Sequence, residues 1–220
     1  MNILIVSATL LELEHIILAS SKIKDNLFLI KSTHSVRVEL LITGVGLVAM
    51  AANLAKRLEE KKYDFVLNCG IAGAFNTQIP LATLFQIEVD SIADLGVEWD
   101  HGFIPLSQLG LVREDDITIV SDAGKFAHFF DHLPKAVAIS KNSISAKLEE
   151  DASQMQIYSA EIESMEGAAF HYACKQKGIP FCQIRSISNY VGERDKQKWA
   201  LAQSIKNLSE FLLNSFLAKL

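Results

Sequence analysis

Glu161-Ile162-Glu163-Ser164-Met165-Glu166-Gly167-Ala168-Ala169-Phe170, a helical run to Lys177, and then Phe181-Cys182-Gln183-Ile184-Arg185-Ser186-Ile187-Ser188-Asn189-Tyr190-Val191 form the stretch around which the chain is organised. Acids and a methionine stand just before a helix that starts on small residues, and a strand that is apolar over most of its length follows. Met165-Glu166-Gly167 lies where the chain enters the helix. An acid is favoured there by the helix N-terminus, and a methionine beside it is ordinarily core. Arg185 lies inside the apolar strand, where a lone charge is costly unless paired. It demands a carboxylate, and Glu166 or Glu12 can supply one. Asn189 stands at the strand's end, close to this chemistry.

Outward from this stretch, strands alternate with helices. Ile3-Leu4-Ile5-Val6 reads as a buried strand, and the spacing of Leu10, Leu13 and Ile17 predicts a helix over 10–20. Residues 26–31 and 36–43 read as a hairpin, and Gly44-Val45-Gly46 turns the chain into a helix over 47–60. Phe65-Val66-Leu67-Asn68-Cys69 is another buried strand, running into Gly70-Ile71-Ala72-Gly73. Strands at 84–89 and 136–140, a long loop over 90–116, a polar segment over 141–155 and a closing helix over 195–219 complete the reading. Several strands are apolar throughout, which predicts an α/β sandwich around a largely buried mixed sheet. No repeat, low-complexity tract or linker divides the chain, so residues 1–220 read as one domain.

The totals narrow the function. Hydrophobic residues make up 50% of the 220, enough for a packed core. A net charge of −5 and a pI near 5.7 argue against a nucleic-acid partner. Cys69, Cys174 and Cys182 are odd in number and form no C-x-x-C pair, which fits buried thiols in a reducing compartment. No basic segment precedes the first apolar run and no apolar stretch is long enough to span a bilayer, so a cytoplasmic protein without a membrane partner is expected. The histidines are scattered without metal-ligand spacing; Asp100-His101 is the one suggestive pair, and no metal is expected.

Three constellations remain. Gly44-Val45-Gly46-Leu47-Val48-Ala49 has the spacing of a dinucleotide fingerprint, but it follows an internal strand, and Asp64, about 20 residues on, begins a strand where a ribose-binding acid ends one. A close-packed turn, or amides aimed at a small substrate, fits as well. Ile71, Ala72 and Gly73 follow a buried strand, where small residues let a ligand approach the backbone. Glu12 and Glu14 project in different directions from a helix, so one can face inward while the other is solvated.

Taken together these pieces resemble the purine nucleosidase and nucleoside phosphorylase superfamily. They are most similar to the 5′-methylthioadenosine/S-adenosylhomocysteine nucleosidases and their relative, futalosine hydrolase. The parts occur in the family's order: Glu12 after the first strand, Gly44-Val45-Gly46, Asn68-Cys69-Gly70-Ile71-Ala72-Gly73, Met165-Glu166-Gly167-Ala168 and Arg185-Ser186-Ile187-Ser188. The resemblance implies a single-domain three-layer sandwich, a purine nucleoside substrate, no cofactor, and a homodimer or higher homo-oligomer. It implies that Glu12 takes a proton from the attacking water, Glu166 holds the ribose hydroxyls, Met165 packs on the sugar, Arg185 orients Glu12 and the water, and Asn189 binds the base at its N7 edge. Ile144 is expected to touch the base, and Trp99, Phe103 and Pro105 to form an apolar pocket for the 5′ group, partly across a subunit boundary. In the nucleosidases the strand after Arg-x-Ile-Ser ends in Asp, and an acid precedes the Met; here Asn189 and Ser164 stand instead. Ile187-Ser188-Asn189-Tyr190-Val191 looks like futalosine hydrolase, which cleaves hypoxanthine from futalosine in a menaquinone route. The rivals are a phosphorylase, disfavoured because residues 7–14 carry no Arg or Lys but two acids, and a non-catalytic nucleoside sensor.

Overall fold

The apolar strands and the helices between them stack in chain order. The computed structural model describes residues 1–99, 102–144, 148–150 and 152–220. The first part runs β1 (Asn2–Ser7), α1 (Glu14–Ile17), β2 (Ser21–Lys24), β3 (Leu27–Ser32), β4 (Arg37–Ile42), α2 (Leu47–Glu60) and β5 (Phe65–Ala74). There follow β6 (Leu84–Ile92), β7 (Gly96–Trp99), β8 (Gly102–Pro105), α3 (Glu114–Ile117), β9 (Thr118–Val120) and β10 (Lys135–Ser140). The last part is α4 (Ala152–Tyr158), β11 (Ile162–Ser164), α5 (Gly167–Lys177), β12 (Phe181–Tyr190) and α6 (Leu201–Glu210).

The main sheet has the order β11-β10-β6-β12-β5-β1-β4-β3-β2, with β9 added to β6. β4, β1, β5 and β12 run parallel, and their C-terminal ends converge. β6 crosses to antiparallel beside β12, and β2, β3 and β4 form a meander. β11 pairs with β10 on one edge and with β5 on the other (Ile162 opposite Ala74, Glu163 opposite Gly73), so β5, β12, β6, β10 and β11 close into a ring.

Alternation along β1 shows the layering. Ile3 and Ile5 face a core with Phe65, Phe126, Phe130, Leu208 and Phe216, under α6 and the C-terminus. Leu4 and Val6 face the opposite core with Met50, Leu54, Phe170 and Phe181, under α2 and α5. Helices thus cover both faces of a mixed sheet, as the sequence predicts. The joint between β4 and α2 is electrostatic. Glu39, 2% exposed, accepts from Arg37 Nε (2.7 Å), Arg57 Nη2 (2.6 Å), Lys61 Nζ (2.9 Å) and Tyr63 OH (2.5 Å). Burial pushes its carboxyl up, but the four donors outweigh burial and bring it down to about 2.

Three readings are revised, the first being the closing helix over 195–219, which is a 3-10 turn over Lys196–Lys198, α6, and a π-helical turn over Phe211–Phe216. The helix over 10–20 is a short 3-10 turn, Leu11–Leu13, running into α1. The loop over 90–116 contains the end of β6, the β7–β8 hairpin and α3. Among the described residues no helix is long and apolar enough to cross a membrane, and Cys69, Cys174 and Cys182 are free and buried.

Candidate active site

The C-terminal ends of β1, β5 and β12 and the N-terminus of α5 open onto one cleft of ≈ 290 Å³ with mostly apolar walls. Ligand clefts in open α/β sheets lie at this end of the strands. Glu12, Ile71, Ala72, Gly73, Ile144, Met165, Glu166 and Asn189 all line it.

Glu12 reaches the cleft because the chain turns sharply after β1. Its Oε2 accepts from Ser7 Oγ (3.0 Å), Thr9 N–H (3.0 Å) and Thr9 Oγ1 (3.1 Å), and its Oε1 accepts from Ile71 N–H (3.1 Å). Glu14 faces solvent instead, its side chain 50% exposed.

Glu166 stands at the junction of β11 and α5. Its Oε1 accepts from Gly46 N–H at 3.0 Å, and its Oε2 lies 3.9 Å from Arg185 Nη1. Gly44 and Gly46 have φ of 89° and 95°, a conformation that costs glycine little, and the turn they make aims the Gly46 amide at the carboxylate. The glycine motif therefore anchors an acid. Burial raises the Glu166 carboxyl above its ordinary value, while Arg185 and the Gly46 N–H oppose that rise.

Arg185, 1% exposed, is paired as its burial demands, with Glu166 as the partner. Its Nη1 also donates to Ile71 O at 3.4 Å. A Cβ on Gly70 would collide with Arg185 Nη1 and fall 2.7 Å from Glu12 Oε1, so bare backbone is what leaves room for both side chains there. Arg185 Nε and Nη2 have no acceptor among the described residues. At the far side of the cleft, Asn189 Oδ1 accepts from Ser188 Oγ at 2.8 Å and Asn189 Nδ2 donates to Tyr190 O at 3.1 Å. That orientation keeps one amide N–H free.

The structure does not bring Phe103 and Pro105 to this cleft. Both lie on β8, whose pairing with β7 makes a separate two-stranded sheet, and the Phe103 ring occupies the space above Gly96. Trp99, at the end of β7, is 64% exposed. Their expected place in the wall is taken by Trp199, Leu201 and Ile205, with Leu11 and Val45 at the mouth. Trp199 precedes α6, inside the span that the sequence reads as one closing helix, so its place in the wall carried no signal. Its Nε1 donates to Glu193 O at 3.0 Å, and the Arg194 guanidinium stands 5.9 Å from its ring. Among the described residues no group of His, Cys, Asp and Glu side chains is placed to hold a metal ion; Asp100 and His101 lie outside the described residues.

Comparison with known proteins gives concordant relatives. The profile of the phosphorylase superfamily matches residues 132–217. A futalosine hydrolase from Thermus thermophilus is 30% identical over 174 residues, 77% of this chain and 76% of that protein. A 5′-methylthioadenosine/S-adenosylhomocysteine nucleosidase from Colwellia psychrerythraea is 25% identical over 189 residues, 80% of this chain and 77% of that one. Among solved structures, futalosine hydrolase of Helicobacter pylori has the same fold, with a TM-score of 0.80 at 20% identity over 100% of this chain and 98% of that chain.

Proposed function

This chain belongs to the futalosine hydrolase family, and from that premise we propose that it hydrolyses the N-glycosidic bond of futalosine, releasing hypoxanthine on a route to menaquinone. The observation that carries the reading is the pair of buried carboxylates in one apolar cleft: Glu12, whose Oε1 accepts from the Ile71 N–H, and Glu166, which pairs with Arg185.

In such a cleavage the sugar gains oxocarbenium character as the bond from C1′ to the base breaks. Glu166 accepts hydrogen bonds from the ribose hydroxyls, and its charge favours the cationic sugar. Glu12 takes the proton of a water attacking C1′, a general-base contribution of about 10²–10⁴-fold. Arg185, paired with Glu166, orients Glu12 and the water. Met165 packs on the sugar, Ile71, Ala72 and Gly73 let it approach the backbone, and Ile144 touches the base at the rim. The bond's electron pair departs on the base. A 6-oxopurine spreads that charge over its ring and O6, where the free Asn189 N–H stabilises it. Asn189 has no acidic proton to give to N7, which is what an adenine leaving group needs. No step requires a cofactor.

The phosphorylase alternative is disfavoured by the same geometry, because the donors near the N-terminal segment are already engaged by the Glu12 carboxylate. We take the molecule to be a homo-oligomer in which Trp99, Phe103 and Pro105 serve a neighbouring copy, and its buried free thiols are in keeping with the cytoplasm. The test is base release from futalosine, inosine and methylthioadenosine, side by side, with and without phosphate. Hypoxanthine from futalosine at a phosphate-independent rate, with weak adenine release, is expected. Equal or faster adenine release returns the protein to the methylthioadenosine nucleosidases, a sugar 1-phosphate makes it a phosphorylase, and no free base makes it a sensor.

A further inference from the structure

Glu166 holds the N-cap position of α5, yet its side chain makes no cap hydrogen bond, being turned to Gly46 and Arg185. The first amides of a helix lack partners within it and need acceptors from elsewhere. Serines of neighbouring strands supply them: Gly167 N–H donates to Ser164 Oγ at 3.3 Å, and Ala168 N–H to Ser140 Oγ at 3.0 Å. Ser140 Oγ donates in turn to Asp90 Oδ1 at 2.9 Å, and Asp90 Oδ2 accepts from Gln183 Nε2 at 3.0 Å. Asp90 has no exposed surface, and a Cβ on Gly167 would collide with Asp90 Oδ2 and the Gln183 amide. A buried acid outside the cleft is thus packed against the residue that follows Glu166.

The chain of polar groups continues inward. His171 of α5, also fully buried, shares a hydrogen bond of 2.9 Å between Nδ1 and Ile119 O. A carbonyl only accepts, so Nδ1 carries the proton, and in the neutral ring Nε2 is a bare acceptor. The Gln183 side chain raises the ring's proton affinity somewhat against the lowering by burial, although no hydrogen bond within normal geometry joins the two. Gln183 Oε1 and His171 Nε2 both lack a partner among the described residues. One added proton removes the conflict. It can sit on His171 Nε2 and be donated to Gln183 Oε1. Alternatively it sits on Asp90: the Gln183 amide turns over, the Asp90 hydroxyl donates to Gln183 Oε1, and Gln183 Nε2 donates to His171 Nε2.

We propose that Asp90 is a positioning residue for Glu166, acting as one end of a buried chain, Asp90–Gln183–His171, that holds a single proton. The charged groups facing it are Arg185 from β12 and Glu166 from the start of α5, while β10 and β11 present serine hydroxyls. Burial raises Asp90 to about 6 and lowers His171 to about 4, so the proton belongs on Asp90. A carboxyl raised on folding contributes stability at low pH and loses it as pH rises through its folded value. The stability that this carboxyl contributes to the packing behind Glu166 is therefore lost as pH rises past about 6, where Asp90 ionises.

The proposal rests on the hydrolase reading, which wild-type base release tests separately; the comparison between variants, and melting curves that need no turnover, test this one. Asp90→Asn mimics the protonated acid, accepting from Ser140 and donating to Gln183. It is expected to keep the wild-type kcat/KM at low pH and to lack the wild-type decline, in both kcat/KM and melting temperature, as pH rises past about 6. Asp90→Ala is expected to fold, by near-UV circular dichroism, and to lose up to about 10²-fold in kcat/KM, the cost of a small misplacement. Should it not fold, Ser140→Ala, which cuts the link to α5 and leaves Asp90 in place, is expected to raise KM several-fold. An Asp90→Asn variant as impaired as Asp90→Ala, or one that keeps the wild-type pH decline, overturns the proposal. So does a folded Asp90→Ala or Ser140→Ala with unchanged kinetics.

Discussion

Glu12 accepts from four donors, three on Oε2 and one on Oε1. Glu12→Gln can keep its oxygen toward Ser7 and Thr9 but then turns an amine toward the Ile71 N–H. Turnover is expected to fall by about 10²-fold or more, the scale of a lost general base. The mispaired donor adds a stability loss of about 1–3 kcal/mol. Glu14→Gln should change neither; single-turnover assays and thermal melts of the pair decide. In its proposed role Glu166 must be ionised to hold a diol, and burial raises its carboxyl. The acid limb of kcat/KM is therefore expected above the ordinary carboxylate range, and a limb within that range removes Glu166 from the titration. Asn189→Asp restores an acid that can protonate N7. The ratio of adenine to hypoxanthine release is expected to rise about tenfold or more. Glu12, Glu166 and Asn189 could be singled out in the sequence because each sits at the end of an element, and Arg185 because a charge inside an apolar strand demands a partner. Trp199 could not, since its role depends on where the closing helix lands.

The elements were legible in proportion to their length. α2 and α5 follow from their turns and small-residue starts, and β5 and β12 from unbroken apolar runs. β9 and β11 are three residues each, too short to carry a period, and they exist only through their partners on β6, β10 and β5. The β7–β8 hairpin was missed for the opposite reason: its own hydrogen bonds turn Phe103 away from the cleft that its apolar character suggested. The turn before α2 carries an element-scale prediction. Gly46→Ala places a Cβ at a φ of 95° and 3.2 Å from Asn142 Oδ1. Such strain costs about 1–3 kcal/mol, and relief of it moves the amide away from Glu166. KM for the nucleoside is expected to rise more than kcat falls. Unchanged KM in a folded variant would detach the glycine turn from ribose binding.

For the molecule as a whole, the sandwich was legible from alternation and burial, but the electrostatic joint between β4 and α2 was not, since Glu39 and its donors are scattered in sequence. Glu39 is lowered from 4.5 to about 2 on folding, so it contributes stability above about pH 4.5 that is lost as pH falls toward 2. Glu39→Gln leaves Arg37, Arg57 and Lys61 around a neutral group. It is expected to cost about 3–5 kcal/mol near neutrality, the range for breaking a buried ion pair. Denaturant melts from pH 7 down to pH 2 should show a steep loss in the wild type and a flatter one in the variant; parallel curves would assign the acid sensitivity elsewhere.

Closing the strands into a ring has a consequence for how the cleft breathes. β11, which leads into Met165 and Glu166, is fastened along both edges, and its flanks are tied by Glu161 N–H to Val137 O at 2.9 Å and Phe75 N–H to Glu161 O at 3.0 Å. It cannot peel outward without breaking two ladders at once. Its amide hydrogens are therefore expected to exchange with deuterium only when the whole domain opens, while the rim near Ile144 and Trp199 exchanges through local excursions. The floor acts as an anvil, so a substrate is expected to find the Glu166 carboxylate already in place.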